Sequence, residues 1–99
     1  MNMDRAAILK KLNQHSDEIL DRCGAKHLSL FGSVARDELH DDNDIDVLVE
    51  FEGAVTYDGY FDLKEFLELM LCRRVDLVTD KGLKPRARRH VEKDLIRVA

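Results

Sequence analysis

Two aspartates at the start of an alternating apolar segment are the feature that most restricts how this chain can fold. The segment DIDVLVEF, residues 44–51, alternates polar and apolar side chains, which predicts a β-strand with one buried face. The apolar residues of that face are Ile45, Val47, Val49 and Phe51. Asp44 and Asp46 lie together on the opposite face, with Cα atoms ~6–7 Å apart. Because aspartate is disfavoured inside strands, this pair indicates a functional role.

Crowded carboxylates point to a divalent cation. They raise one another's pKa and oppose folding unless positive charge lies between them. Mg²⁺ prefers oxygen ligands and commonly combines one or two carboxylates with substrate phosphates. Two such ions ~4 Å apart can stabilise both oxygens of a phosphoryl displacement. We therefore predict that Asp44 and Asp46 bind metal.

A third aspartate, Asp76, lies in the short apolar run RRVDLVT. On a neighbouring strand it could complete the metal site, accept a proton from an attacking hydroxyl, or simply lie at a sheet edge. A calcium loop of the EF-hand type does not fit. Its spacing starts at Asp42, but its sixth and twelfth positions hold Val47 and Gly53 instead of Gly and Glu.

A Gly-Ser turn precedes the aspartates by eleven residues. Gly32 permits a tight turn and close approach of a ligand. Ser33 is expected to open a short helix whose free N–H groups favour a phosphate, or merely to N-cap that helix. Arg36 follows one helical turn later, where it could reach triphosphate oxygens or pair with an aspartate. The chain has no GxxxxGK[ST] sequence, so it is not a P-loop ATPase.

The predicted order of elements is α-β-α-β-α-β-α, an α/β (α+β) fold with a small mixed sheet and helices packed on it. The predicted strands are 26–31, 44–51 and 74–79, and the longer helices are 3–23, 59–72 and 86–98. Helical connections between the strands suggest crossovers. Asp58 is the expected N-cap of the helix over 59–72. The last helix is expected to bury Ala87, Val91, Leu95 and Val98. Three strands leave exposed edges, which suit a partner or an oligomer.

Composition and charge narrow the functional class. The 99 residues suffice for one domain, and 36% of them are charged. Without a ~20-residue apolar run or an evident signal peptide, a cytoplasmic protein with no membrane association is expected. Residues 81–99 carry seven basic and two acidic residues, a net of +5, which leaves −9 on residues 1–80. That acidic body is not typical of a nucleic-acid-binding domain.

These residues together resemble a known pattern. Gly32-Ser33-x-x-Arg36, then Asn43-Asp44-Ile45-Asp46, then Val-Asp76-Leu is similar to the nucleotidyltransferase superfamily typified by DNA polymerase beta. The phrase LFGSVARDE…DIDVLVEF resembles more narrowly the minimal nucleotidyltransferases, which are often antitoxins paired with HEPN-domain toxins. The resemblance covers nearly the whole chain and implies one minimal nucleotidyltransferase domain over residues 1–99, with a polymerase beta-like fold.

The resemblance also implies roles for individual residues. Gly32 and Ser33 would hold the nucleotide's phosphates, and Asp44 and Asp46 would bind two Mg²⁺ ions. Asp76 would be a third metal ligand that helps to activate the acceptor hydroxyl. Two positions depart from the pattern. Asn43 replaces the usual Ser and can hydrogen-bond its turn in a similar way. Asp37 stands where Gly is common and adds negative charge near a phosphate site.

The expected activity is transfer of AMP from ATP to a hydroxyl, with release of pyrophosphate. The resemblance points to a tyrosine of a HEPN toxin as the acceptor, with this chain acting as the antitoxin. Two alternatives remain open. The chain could neutralise its partner by occlusion without catalysis, or it could transfer nucleotides to RNA through its basic segment 81–99.

Overall fold

A four-stranded sheet with helices packed on it forms the protein. The computed structural model describes residues 4–40 and 42–98. The helices are α1 (Arg5–Gln14), α2 (Ser16–Cys23), α3 (Gly32–Ala35), α4 (Tyr57–Leu71) and α5 (Pro85–Lys93). The strands are β1 (Ala25–Phe31), β2 (Ile45–Phe51), β3 (Val75–Thr79) and β4 (Ile96–Arg97). A single 3₁₀ turn, Asp80–Gly82, follows β3. The predicted α/β class is confirmed.

The strands lie in the order β3-β2-β1-β4. Strand β2 is parallel to β3 and antiparallel to β1, and β4 is antiparallel to β1. The crossover predicted between β2 and β3 is therefore confirmed, with the 15-residue α4 as its helix. The crossover predicted between β1 and β2 is wrong. The four-residue α3 is one turn long and cannot carry the chain back along the sheet, so β2 returns antiparallel.

The core lies between one face of the sheet and helices α1, α2 and α4. Strand β2 contributes its alternate residues Ile45, Val47 and Val49, which are fully buried as the sequence pattern predicts. Helix α4 contributes Leu63, Leu67 and Leu71, which recur every four residues and so share one face of the helix. Because the apolar residues take this face of the sheet, the alternating aspartates lie on the other face.

The first helix is shorter than predicted. Residue 3 of the predicted helix 3–23 lies outside the described residues. The remainder forms two helices, since the chain leaves helical geometry at His15 (φ −113°, ψ 15°). Ser16 begins the second helix. The carboxylates of Asp17 and Glu18 in its first turn interact favourably with the partial positive charge at the helix N-terminus. Gly24 ends it with φ +70°, a conformation that glycine adopts without steric penalty.

The C-terminal segment differs most from its prediction. Helix α5 ends at Lys93 instead of continuing to residue 98, and Ile96–Arg97 pair with β1 as the fourth strand. Val91 is buried and Val98 packs against the core, as predicted. Ala87 is exposed and Leu95 is 39% exposed, which contradicts the predicted burial. The strand pairing of Ile96–Arg97 with β1 thus takes precedence over the helical periodicity of residues 86–98.

Helix α4 begins two residues earlier than predicted and uses a different cap. The Thr56 hydroxyl accepts a hydrogen bond from the Gly59 N–H at 3.0 Å, so Thr56 is the N-cap. Asp58 lies inside the first turn, and its predicted role as the cap is wrong. Neither α4 nor any other helix of residues 4–40 and 42–98 is long and apolar enough to cross a membrane.

Candidate active site

Two of the predicted aspartates face each other across adjacent strands. Asp46 on β2 and Asp76 on β3 are register partners in the parallel pair. Their side chains project from the face of the sheet opposite the core, because their neighbours Ile45, Val47 and Val75 are buried. The carboxyl groups are close enough to share a hydrogen bond. The fold thus brings together two carboxylates that are 30 positions apart in the sequence.

Asp46 carries the clearest electrostatic perturbation among the described residues. Its burial, the negative charge of Asp76 and the hydrogen bond between the two carboxyl groups raise the pKa of Asp46 from its ordinary 3.8 to about 6. Asp44 adds a smaller effect in the same direction, and the positive charge of Arg36 opposes it. A carboxyl group held against its preferred ionisation is characteristic of a functional site.

Gly32 packs directly against the side chain of Asp46. A Cβ atom at position 32 would lie 2.2 Å from Oδ2 of Asp46, far inside van der Waals contact. The backbone φ of +69° independently favours glycine. The Gly-Ser turn therefore lies directly against a carboxylate of the pair, as the eleven-residue spacing from Ser33 to Asp44 suggested.

Ser33 is half-buried in the first turn of α3. The N-cap of this helix is Phe31, so the reading of Ser33 as a simple N-cap is wrong. Its backbone carbonyl accepts the Glu38 N–H at 2.8 Å, which closes the loop that follows. The position of Ser33 beside Gly32 suits phosphate contact, and its role there stays a prediction.

Asp44 lies just before β2 and is drawn toward a basic neighbour. Its Oδ1 is 3.4 Å from Nε of Arg74, in an exposed ion pair. The backbone supports this placement, since the N–H of Ile45 donates to the Arg74 carbonyl at 2.9 Å. Asp44 is near enough to affect the pKa of Asp46, but its carboxylate has a competing partner.

Arg36 is held by two carboxylates outside the aspartate pair. Its Nη1 donates to Oδ2 of Asp94 at 2.8 Å, and its Nε donates to Oε2 of Glu38 at 3.1 Å. These hydrogen bonds raise the pKa of Arg36, and its guanidinium is charged as in any arginine. Of the two predicted possibilities, the structure presents the pairing with an aspartate, although that aspartate is Asp94. Three of the five N–H donors of the guanidinium lie outside these two bonds.

The backbone conformation of Asp37 accounts for its departure from the family pattern. It adopts φ +60°, the left-handed conformation for which glycine is the usual residue and aspartate a tolerated one. Its Oδ1 accepts the Arg5 N–H at 3.4 Å, at the first residue of α1. The additional negative charge is thus directed toward a helix N-terminus, which favours anions.

Tyr60 connects α4 to the strand that carries Asp76. Its hydroxyl donates to the carbonyl of Leu77, the residue after Asp76. Burial and the charge of Asp76 raise the pKa of this phenol.

Beyond the carboxylates, the open face of the sheet continues into a cleft of about 170 Å³ lined in part by Ser29, Leu48 and Glu50.

The donor set fits a magnesium ion only in combination with a substrate. Among residues 4–40 and 42–98, no three His, Cys, Asp or Glu side chains form a group that could hold a metal ion by themselves. The facing carboxylates of Asp46 and Asp76 nevertheless supply the hard oxygen ligands that Mg²⁺ takes alongside phosphates and water. The close approach of Gly32 leaves no space on one side of Asp46, so a cation would lie on the open side.

Three residues at or near the site were not predicted from the sequence to contribute to it. Asp94 is 58 residues from Arg36, and no spacing rule connects them. Arg74 sits only two residues before Asp76, so its position beside the site could have been inferred once β2 and β3 were paired. Tyr60 packs partly against the core, and its hydroxyl also donates to the strand that bears Asp76, a contact that no sequence pattern indicated.

Known proteins are similar to this chain in both sequence and fold. The nucleotidyltransferase domain family matches residues 10–98. Protein adenylyltransferase MntA of Thermococcus cleftensis is 36% identical over 87 residues, covering 88% of each chain. A solved structure described as a "putative minimal nucleotidyltransferase" is 39% identical with a TM-score of 0.82, covering 96% of each chain. A toxin-antitoxin crystal structure with AMP-PNP shares the fold at 20% identity and TM-score 0.73, over 88% of this chain and 72% of that one.

The site and the comparisons lead to the same conclusion. A carboxylate pair on neighbouring strands beside a Gly-Ser turn is the pattern from which the resemblance was drawn, and the family match spans nearly all of the chain. This chain belongs to the nucleotidyltransferase domain family and is a nucleotidyltransferase.

Proposed function

We propose that this enzyme uses ATP and Mg²⁺ to transfer AMP to a hydroxyl of a partner protein, and that it acts as an antitoxin toward that partner. The acceptor that fits best is a tyrosine of a HEPN-type toxin. Relatives that are 36% identical carry the name protein adenylyltransferase, and structures of the same fold come from toxin-antitoxin pairs.

One observation carries the proposal: Asp46 and Asp76 face each other at the edge where Gly32 contacts Asp46. Asp46 and Asp76 concentrate negative charge there, and the positive charge of Arg36 opposes the resulting rise in the pKa of Asp46 only weakly. A triphosphate would add further negative charge, so binding requires a divalent cation between the two. This arrangement suits metal-dependent chemistry on a nucleotide better than binding alone.

The chain's own residues would first position the substrate. The backbone at Gly32 and the hydroxyl of Ser33 would contact phosphate oxygens, and Arg36 would offer its remaining donors to the triphosphate. Asp46, Asp44 and Asp76 would hold the Mg²⁺, which supplies positive charge to the phosphates when bound. Holding the reactants in line accounts for much of the acceleration expected from such a site.

In the transfer step, the acceptor oxygen attacks the α-phosphorus of ATP. A bond forms between that oxygen and the α-phosphorus, and the bond to the oxygen that bridges the α- and β-phosphorus breaks. Pyrophosphate leaves with the electron pair of that bond. Asp76 lies on the edge strand and would take the proton of the acceptor hydroxyl.

The test is an adenylylation assay with the purified chain, Mg²⁺ and the protein encoded by the adjacent gene. Label on the α-phosphate of ATP should appear on that protein, whereas label on the γ-phosphate should not. Mass spectrometry should locate the AMP on a tyrosine. Absence of α-label transfer to any candidate partner would exclude the enzymatic part of the proposal.

A growth assay separates catalysis from occlusion. The Asp44→Asn, Asp46→Asn double variant should fail to neutralise the partner in cells if AMP transfer is the means of neutralisation. Retained neutralisation by this variant would instead favour a chain that acts by covering its partner. The ion pair between Asp44 and Arg74 makes this control worthwhile, because it occupies one predicted ligand.

A further inference from the structure

We propose that the acceptor protein docks on the first half of α4 through Tyr57 and Phe61, and that it presents a cationic and apolar surface there. We call these two side chains the aromatic patch. The inference rests on the proposed function, because it identifies the face through which an acceptor protein would reach the carboxylates.

The aromatic patch is exposed to an unusual degree. Tyr57 is 80% exposed and Phe61 is 45% exposed, although both are large aromatic side chains. They are four residues apart on the helix, and their ring centroids lie 4.8 Å apart. Two rings already in contact lose little conformational entropy when a partner covers them, and aromatic residues of this kind dominate the energy of many interfaces.

The patch is connected to the strand that carries Asp76. The ring of Phe61 meets that of Tyr60 edge-on, with centroids 5.1 Å apart. Tyr60 in turn donates its hydroxyl hydrogen bond to Leu77, next to Asp76. Helix α4 packs on the core face and Asp76 projects from the opposite face, but β3 is the edge strand, so a bound protein would have to pass around this one strand to reach Asp76. A protein resting on the patch could therefore extend a hydroxyl side chain to Asp76.

Charge indicates what kind of surface fits there. Residues 41–63 contain eight aspartates and glutamates and no lysine, arginine or histidine. Asp58 and Asp62, both exposed, share the first turns of α4 with the aromatic patch. An acidic border attracts lysine and arginine, which also bind favourably over aromatic rings. The same border repels nucleic acid, so the structure favours a protein as the occupant.

The principal test compares two substitutions on one helix. Tyr57→Ala, Phe61→Ala removes the patch, and Leu69→Ala removes a similarly exposed apolar side chain (73%) eight residues farther along α4. Calorimetry with the protein encoded by the adjacent gene should show about 30-fold weaker binding for the double variant. The Leu69→Ala control should stay within about 2-fold, because it lies outside the patch. Binding of ATP with Mg²⁺ and the melting temperature should be unchanged in both.

A second test addresses the charge of the partner. Asp58→Lys should slow association with the same protein by about 10-fold at low salt, and added salt should narrow the difference. Asp17→Lys, an exposed charge reversal on α2, is the matched control and should leave association unchanged.

The outcomes separate this inference from the proposed function. If AMP is transferred and the double variant binds and modifies the partner like the unchanged chain, the docking surface lies elsewhere and the function stands. If the double variant loses binding but no chain ever transfers AMP, the surface stands and the function falls. Three other results would overturn the inference. The double variant could lose ATP binding, or it could lose self-association while still binding the partner. The unchanged chain could also fail to bind this partner.

Discussion

The two faces of β2 are opposite in what they contribute. Ile45, Val47 and Val49 on one face are fully buried against helices, where each apolar side chain stabilises the fold by ~1.5–3 kcal/mol. Asp46 on the other face is half-buried beside a second carboxylate, and its pKa is raised to about 6. A single strand thus alternates between residues that hold the fold together and a residue that opposes folding. Alternation lets a small domain support a costly site on a strand whose other face is buried in the core.

The comparison predicts different consequences for substitutions on the two faces. Changes on the core face should lower stability and leave the chemistry of folded molecules intact. Changes to the carboxylate pair on the open face should abolish the chemistry and leave stability equal or improved.

Asp46→Asn should have the largest effect. Removing the carboxylate should reduce AMP transfer about 1,000-fold, or ~4 kcal/mol in activation free energy, because the amide binds a cation poorly. Initial rates with α-labelled ATP measure this loss. Glu50→Gln, on the same face of β2 two positions beyond Leu48, is the control and should remain active. Equal losses in both variants would show that the open face as a whole, not the pair, matters.

Leu67→Ala should show the opposite behaviour. Leu67 is fully buried in the core, so truncation should lower the free energy of unfolding by ~3 kcal/mol through lost burial and a cavity. Urea unfolding measures the change. Leu69→Ala on the same helix is 73% exposed in the unchanged chain and should alter stability by less than ~0.5 kcal/mol. Similar costs at both positions would contradict the assignment of the core face.

Gly32→Ala tests the contact beneath the site. The new Cβ would lie 2.2 Å from Oδ2 of Asp46, so that carboxylate must move, and AMP transfer should fall about 100-fold, ~2.7 kcal/mol. Gly53→Ala is a matched control. Gly53 also has positive φ (+82°), but a Cβ there would meet nothing within 4 Å. It should share the backbone strain of ~1 kcal/mol and keep its activity. Inactivity of both variants would point to strain as the cause.

The pH dependence of stability should be the smallest effect. Because the folded chain raises the pKa of Asp46 from 3.8 to about 6, it holds this proton more tightly than the unfolded chain does. The free energy of unfolding should therefore fall as pH rises from about 4 to 6, and remain lower above 6. Solvent screening of this half-buried group limits the change to ~1 kcal/mol.

Urea unfolding in EDTA, with Asp46→Asn as reference, isolates this contribution from other titrating groups. The variant should be the more stable protein at pH 7, and the difference should vanish toward pH 4. A difference that does not vary with pH would mean that Asp46 is not destabilised by its surroundings.

How far the sequence could predict the site depended on the range of the interactions. The alternation in residues 44–51 was sufficient to place Asp46 on the face opposite the core, because strand geometry is local. The pairing of Asp46 with Asp76 followed once two parallel strands were placed side by side. The hydrogen bond from Arg36 to Asp94 had no sequence signal, since it joins segments 58 residues apart.

The C-terminal segment shows where local patterns fail. Residues 86–98 have helical periodicity, yet the helix stops at Lys93 so that Ile96–Arg97 can pair with β1. That pairing covers a strand edge which no local preference takes into account. The helix break at His15 is a similar case, because the periodicity of residues 3–23 continues through it.

The sequence alone determined the alternating strand, the turn at Gly32, the amphipathic α4 and the family to which the chain belongs. These depend on dihedral preferences and side-chain period, which neighbouring residues set. Only the tertiary structure decided that β1 runs antiparallel to β2, that Asp94 holds Arg36, and that Tyr57 and Phe61 form an exposed aromatic patch on α4. Those features depend on which distant segments pack together, and the free energy of burial and strand pairing selects among arrangements that local preferences leave equal.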